Sequence, residues 1–184
     1  MFSLISHLVN GVKGGVVASL QGTADVASKV VEVTKNTTVS VLKETGEFAK
    51  EALDVPASIV NGAFMGISEV GVSVITAVKG IVSGTLQGLM HSGVGQDAAI
   101  KGVVGQSLHS AKELGLDMGQ AAVESVNGSI EAVGQVGGDT VEATKIAVVA
   151  ALDTAKELGS DVFETVKDAL NIGVEGVKDI IDAL

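Results

Sequence analysis

The chain has 184 residues, 46% hydrophobic but only 2% aromatic, and its 22 acidic residues outnumber 12 basic ones for a formal charge of -10. Every basic residue is a lysine and cysteine is absent, which excludes disulfides and thiolate metal sites and argues against nucleic acid, whose binding rests on neutralising phosphates. With four Phe, no Trp or Tyr and 24 Gly, any core must be built from Val, Ile, Leu and Ala, while each helical Gly costs up to ~1 kcal/mol relative to Ala.

The first residues, Met-Phe-Ser-Leu-Ile-Ser-His-Leu-Val, lack a basic segment, so no secretory signal is expected and a cytoplasmic location is the default reading. Leu4, Ile5 and Leu8 already fall into an eleven-residue pattern. From Val9 this pattern runs through sixteen units to Leu184 without an insertion. Eleven residues in three turns is about 3.67 per turn, close to a natural helix, so the apolar stripe barely drifts and favours straight helices or a right-handed supercoil. Apolar spacings of three and four exclude strands. The chain therefore reads as one all-α repeat domain over residues 1–184.

Lettering each unit a to k, apolar residues dominate a, d, g, h and k, an arc of roughly 130° between position centres. Position c, beside it, is almost entirely small, from Gly66, Ala77 and Gly88 to Ala143. This neutral face is wider than one helix–helix seam requires. Nine of the twelve lysines stand at position e: Lys13, Lys35, Lys79, Lys101, Lys112, Lys145, Lys156, Lys167 and Lys178. Two readings stay open for this row. It is a solvated edge with short-range ion pairs worth a few tenths of a kcal/mol each, or a basic border that sets registry against a neighbour's acidic back, carried by Lys79 to Lys178.

Further along, Asp54-Val-Pro56 reads as a helix start with proline in the first turn. From there position h alternates Val60, Gly71, Val82, Gly93, Val104, Gly115, Val126, Gly137, Val148, Gly159. We read this row as a helix-packing interface, in which a glycine hole accepts a valine knob from a neighbouring helix; the alternative is the trace of a 22-residue duplication. Solvent-facing glycines would defeat the packing reading. The longest uncharged run, Gly80 to Gln96, holds 17 residues with five Gly and does not make a convincing membrane span.

At the midpoint, His91-Ser-Gly-Val-Gly-Gln-Asp97 places polar residues and Gly in core positions, so a break or kink is expected at 92–97. That gives a long helical hairpin or kinked rod with arms 1–91 and 98–184, packed side by side with other helices. Gly137-Gly-Asp-Thr-Val-Glu142 resembles a capping box. If it and the Pro56 signal also break, the alternative is a four-helix bundle with breaks near 54–56, 93–97 and 137–140. No chemistry gathers along the way. His7, His91 and His109 are scattered; Ser107, His109 and Asp117 lie on different faces of one helix; Gly93-Val-Gly-Gln-Asp-Ala98 lacks the strand a dinucleotide fingerprint needs.

The segment Gly14-Gly-Val-Val-Ala-Ser-Leu-Gln-Gly-Thr-Ala-Asp-Val-Ala-Ser-Lys29, with its e-position lysines and Val/Gly/Thr/Ala palette, is similar to the repeats of synucleins and of perilipin 4. Those proteins bind lipid surfaces through eleven-residue helical repeats, and the resemblance implies the same here. The chain lacks their recurring KTKEGV-type motif, and its mean hydropathy of +0.47 is high for a reversible lipid binder. Right-handed eleven-residue coiled coils are an equal comparison. The sequence thus reads as a non-enzymatic structural protein, without cofactor, metal or small-molecule substrate, that assembles with itself into a homo-oligomer, filament or sheath. The alternative partner for the same face is a membrane or lipid surface.

Overall fold

The computed structural model describes residues 2–21, 25–45 and 54–184, the side chains of 2–5, 45 and 54 excepted. The register calls at Leu4 and Ile5, the Asp54 cap and residues 22–24 of the synuclein-like segment therefore fall outside what is described. The described residues form nine helices and no strand: α1 (Phe2–Leu20), α2 (Val26–Thr45), α3 (Asp54–Val70), α4 (Val74–His91), α5 (Gln96–Glu113), α6 (Met118–Gln135), α7 (Thr140–Leu158), α8 (Ser160–Gly173) and α9 (Lys178–Asp182).

The fold is all-α with helices side by side, and the chain does break at 92–95 and 136–139. The long arms, however, do not occur. Additional turns at 71–73, 114–117 and Gly159 cut them into helices of 20 residues or fewer, none longer than ~30 Å. Of the four-helix alternative's breaks, those near 93–97 and 137–140 fall at turns, while what precedes Asp54 lies outside the described residues; the turns at 71–73, 114–117 and Gly159 are additional. Pro56 does lie in the first turn of α3.

Glycine ends these helices. Gly71, Gly93, Gly115 and Gly137 have φ of 79°, 89°, 67° and 78°, a left-handed conformation that only glycine adopts without strain. In the α4–α5 turn, the Val94 N–H donates to the Leu89 carbonyl and the Gly93 N–H to Met90. Leu116 to Ala111 and Gly138 to Val133 repeat the pattern. These bonds satisfy carbonyls that a helix end leaves orphaned. Two residues later stands the residue that starts the next helix. Asp117 Oδ1 accepts from the Gln120 N–H at 2.8 Å, and Asp139 Oδ1 from the Val141 and Glu142 N–H groups at 3.0 and 3.1 Å. Asp139→Ala should therefore cost about 1 kcal/mol, read as a lower urea midpoint with unchanged slope.

Helix plus turn is the repeating unit. Helices α4 to α7 begin at Val74, Gln96, Met118 and Thr140, so each unit takes 22 residues, two sequence repeats. A turn of four residues is thus phase-neutral, and the eleven-residue register passes through it intact.

Consecutive helices reverse direction and alternate between two layers. One layer holds α1, α3, α5 and α7; the other holds α2, α4, α6 and α8. The most extensive contacts join helices two apart within a layer, and weaker ones join neighbours across layers. Within a layer the helices run parallel: a Cβ at Gly62 would meet Val12 Cβ at 2.9 Å, and one at Gly66 would meet Val16 Cβ at 2.9 Å. On α4, Gly80, Gly84 and Gly88 make the same approach to Val30, Thr34 and Thr38 of α2. Position c supplies part of this seam, and Gly66, Ala77, Gly88, Ala99, Ser110, Ala121, Ala132 and Ala143 are all buried. Between the layers lie the larger residues, including Ile59, Phe64, Ile67, Ile81, Leu86, Ile100 and Leu108. The resulting two-layer stack is a helical solenoid.

Candidate self-association surface

The two halves of the alternating h row separate completely. Val60, Val82, Val104, Val126 and Val148 sit mid-helix at 0% exposure in the core. Gly71, Gly93, Gly115 and Gly137 are exposed turn residues, and Gly159 separates α7 from α8. A Cβ at Gly71, Gly115, Gly137 or Gly159 would meet no atom within 4 Å. They are not holes for a neighbour's valines, and that expectation is corrected: the alternation is the period of helix and turn. The close-packing glycines are others, among them Gly62, Gly66, Gly84, Gly88 and Gly128, where an added Cβ would come within 3 Å of the adjacent helix.

The lysine row does meet acidic neighbours, inside one chain and between helices two apart. Lys79 Nζ lies 2.8 Å from Glu131 Oε2, joining α4 to α6, and Lys13 Nζ lies 2.6 Å from Glu69 Oε2, joining α1 to α3. Lys112 Nζ donates to the Leu158 carbonyl at the end of α7, a place where the helix dipole favours a cation. Lys156 lies 3.9 Å from Asp153 on its own helix and 5.4 Å from the Phe163 ring centroid. Lys101, Lys145 and Lys178 are exposed and Lys167 is half-buried. Such exposed pairs are worth ~0–1 kcal/mol each, so they bias registry more than they hold the stack together.

Beside these charges the surface keeps small and apolar residues, Ile172 among them at 89% exposure. The outer side of α1 presents Gly11, Gly14 and Ala18, all exposed, and no atom lies within 4 Å of a Cβ placed at either glycine. At the turns, Leu114 is 42% exposed, Val136 45% and Val141 79%. These three occupy positions g, g and a, letters of the apolar arc. Periodicity alone could not mark them, because it assigns every g and a residue to the same arc.

A cleft of about 370 Å³ opens between the starts of α2 and α4, lined by Val26, Ala27, Val30, Val72, Ala77 and Gly80 among others. Its charged residues, Lys79 and Glu131, are paired with each other. The hydroxyl of Thr76 donates to the Ser73 carbonyl. Ser107 and Ser125 share a buried hydrogen bond of 2.7 Å between α5 and α6, away from His109, whose ring nitrogen lies 4.0 Å from Glu157. Among the described residues, no three His, Asp or Glu side chains are grouped to hold a metal ion, and no helix is long and apolar enough to cross a membrane. No protein-family model matches the chain, and no curated protein matches it in sequence.

Proposed function

We propose that this chain is a non-enzymatic structural protein whose helical stack associates with further copies of itself. The observation that carries the reading is the outer side of α1. Inside the stack, α3 offers Gly62 and Gly66 to α1, and α4 offers Gly80, Gly84 and Gly88 to α2. Helix α1 offers the same kind of stripe, Gly11, Gly14 and Ala18, to solvent. Helix α1 also carries no acidic residue in its span, in a chain of net charge -10. An uncharged stripe of small residues suits close approach of another helix.

The lipid reading makes a different demand. Residues of the apolar arc are buried between the layers, so a lipid surface would have to open the stack before meeting them. Sedimentation velocity and negative-stain microscopy, with and without liposomes, separate the two. Concentration-dependent oligomers should form without lipid, and Gly14→Glu should weaken them at least tenfold, as expected for a charge buried at a helix contact, with unchanged circular dichroism. A chain that stays monomeric at every concentration, or oligomers indifferent to Gly14→Glu, would refute this assignment.

A further inference from the structure

We infer that two copies of this chain exchange their C-terminal helices, opening at the turn between α6 and α7 so that residues 140–184 of each pack on the other. The inference rests on the self-association reading and names the segment that passes between copies.

Two observations meet at this turn. The eleven-residue register continues across Val136-Gly-Gly-Asp139, although nothing in a closed turn requires the helices on either side to keep phase. If these four residues became helical, α6 and α7 would join into one helix from Met118 to Leu158, ~60 Å long, with its apolar arc unbroken. The same holds at the other phase-neutral turns. What distinguishes this one is the pair flanking it: Val136 is 45% exposed and Val141 79%. They stand at the two borders of the arc, positions g and a. In the closed chain both meet water. In an exchanged pair the two joined helices cross at the two-fold axis, and the crossing brings Val136 and Val141 of one copy against those of the other.

Exchange leaves the interior unchanged. Ala143, Ala147, Val148, Ala151 and Ala155 are fully buried, and they would find the same α5 and α6 surfaces on the partner. The two forms therefore differ only at the hinge and in the entropy of association, the condition under which domain swapping is cheap. Gly137 and Gly138 give the hinge its freedom. Gly137, at φ 78°, favours the closed turn, so the balance is adjustable by substitution.

The chain has no cysteine, which allows a direct test. A Cβ at Gly105 on α5 would lie 3.2 Å from Thr154 Oγ1 on α7. In Gly105→Cys/Thr154→Cys protein, assembled and then diluted before oxidation, exchange places the disulfide between chains and yields a covalent dimer on a non-reducing gel. A second variant, Thr140→Pro, puts proline at the first position of α7, after Asp139 with φ -82° and ψ 102°, a conformation that proline accepts. In the joined helix the same proline would be internal, so the between-chain product should fall about a hundredfold. Gly137→Ala should raise it about fivefold or more. Between-chain disulfides that vanish in Thr140→Pro support the exchange. Oligomers carrying only within-chain disulfides overturn the exchange and leave self-association standing. A protein monomeric at every concentration overturns both.

Discussion

Truncating Phe64 to alanine should remove about 3–5 kcal/mol of stability, a large share of the 5–15 kcal/mol typical of a folded domain. Phe64 is the largest fully buried side chain described, at 0% exposure. It lies in an interior otherwise built mainly from Val, Ile, Leu, Ala and Gly with small hydroxyl residues among them. β-Branched neighbours are stiff about their first torsion and glycine has no side chain to swing, so the space left by the ring should close poorly. Urea unfolding would show the loss as a lower midpoint at constant slope. A loss below about 1 kcal/mol would mean that the layers repack freely and that the core is not jigsaw-like.

The second prediction sets one chemical change against itself. Gly84→Ala and Gly102→Ala both place a methyl group inside a helix, where helix propensity alone favours alanine by up to ~1 kcal/mol. At Gly102 nothing lies within 4 Å of the added Cβ, so that gain should be realised. At Gly84 the Cβ would fall 2.5 Å from the Val31 carbonyl oxygen, 2.9 Å from Thr34 Cβ and 3.1 Å from the Lys35 nitrogen. Two of these are backbone atoms that cannot rotate aside. Helices α2 and α4 must separate, which also loosens the contacts at Gly80 and Gly88. Overpacking of this kind should cost about 1–3 kcal/mol. The two variants should therefore shift the unfolding midpoint in opposite directions, and shifts of the same sign would refute the close approach of α2 and α4.

The helical class was legible because the spacing of Val, Ile and Leu admits no strand, and the breaks at 92–97 and 137–140 because glycines and capping residues stand there in core positions. The remaining turns were hidden by arithmetic. A phase is all that periodicity measures, and a helix-turn unit of two repeats leaves the phase untouched. The signal that distinguishes a turn glycine from a packing glycine was nonetheless present. Gly71-Val-Ser73, Gly115-Leu-Asp117 and Gly137-Gly-Asp139 each place a capping type of residue two positions after the glycine, whereas Gly62, Gly84 and Gly88 do not sit in such a pattern; Gly66-Ile-Ser68 is the exception among the packing glycines. Likewise the lysine row was visible, but its partners were not, because Lys79 and Glu131 are brought together only by the stacking of α4 on α6. Val136 and Val141 read as core for the same reason that hid the turns: their letters in the repeat are core letters.

Among the described residues each helix touches chiefly those one and two steps away along the chain, and no extensive contact joins helices farther apart. Stability accordingly accrues by increments from neighbour to neighbour. A fold of that kind has no fixed size. Excising 44 residues, from one turn to the turn after next, would return every surviving helix to its own layer and heading, so the protein's length is a count of interchangeable parts rather than a property of its shape.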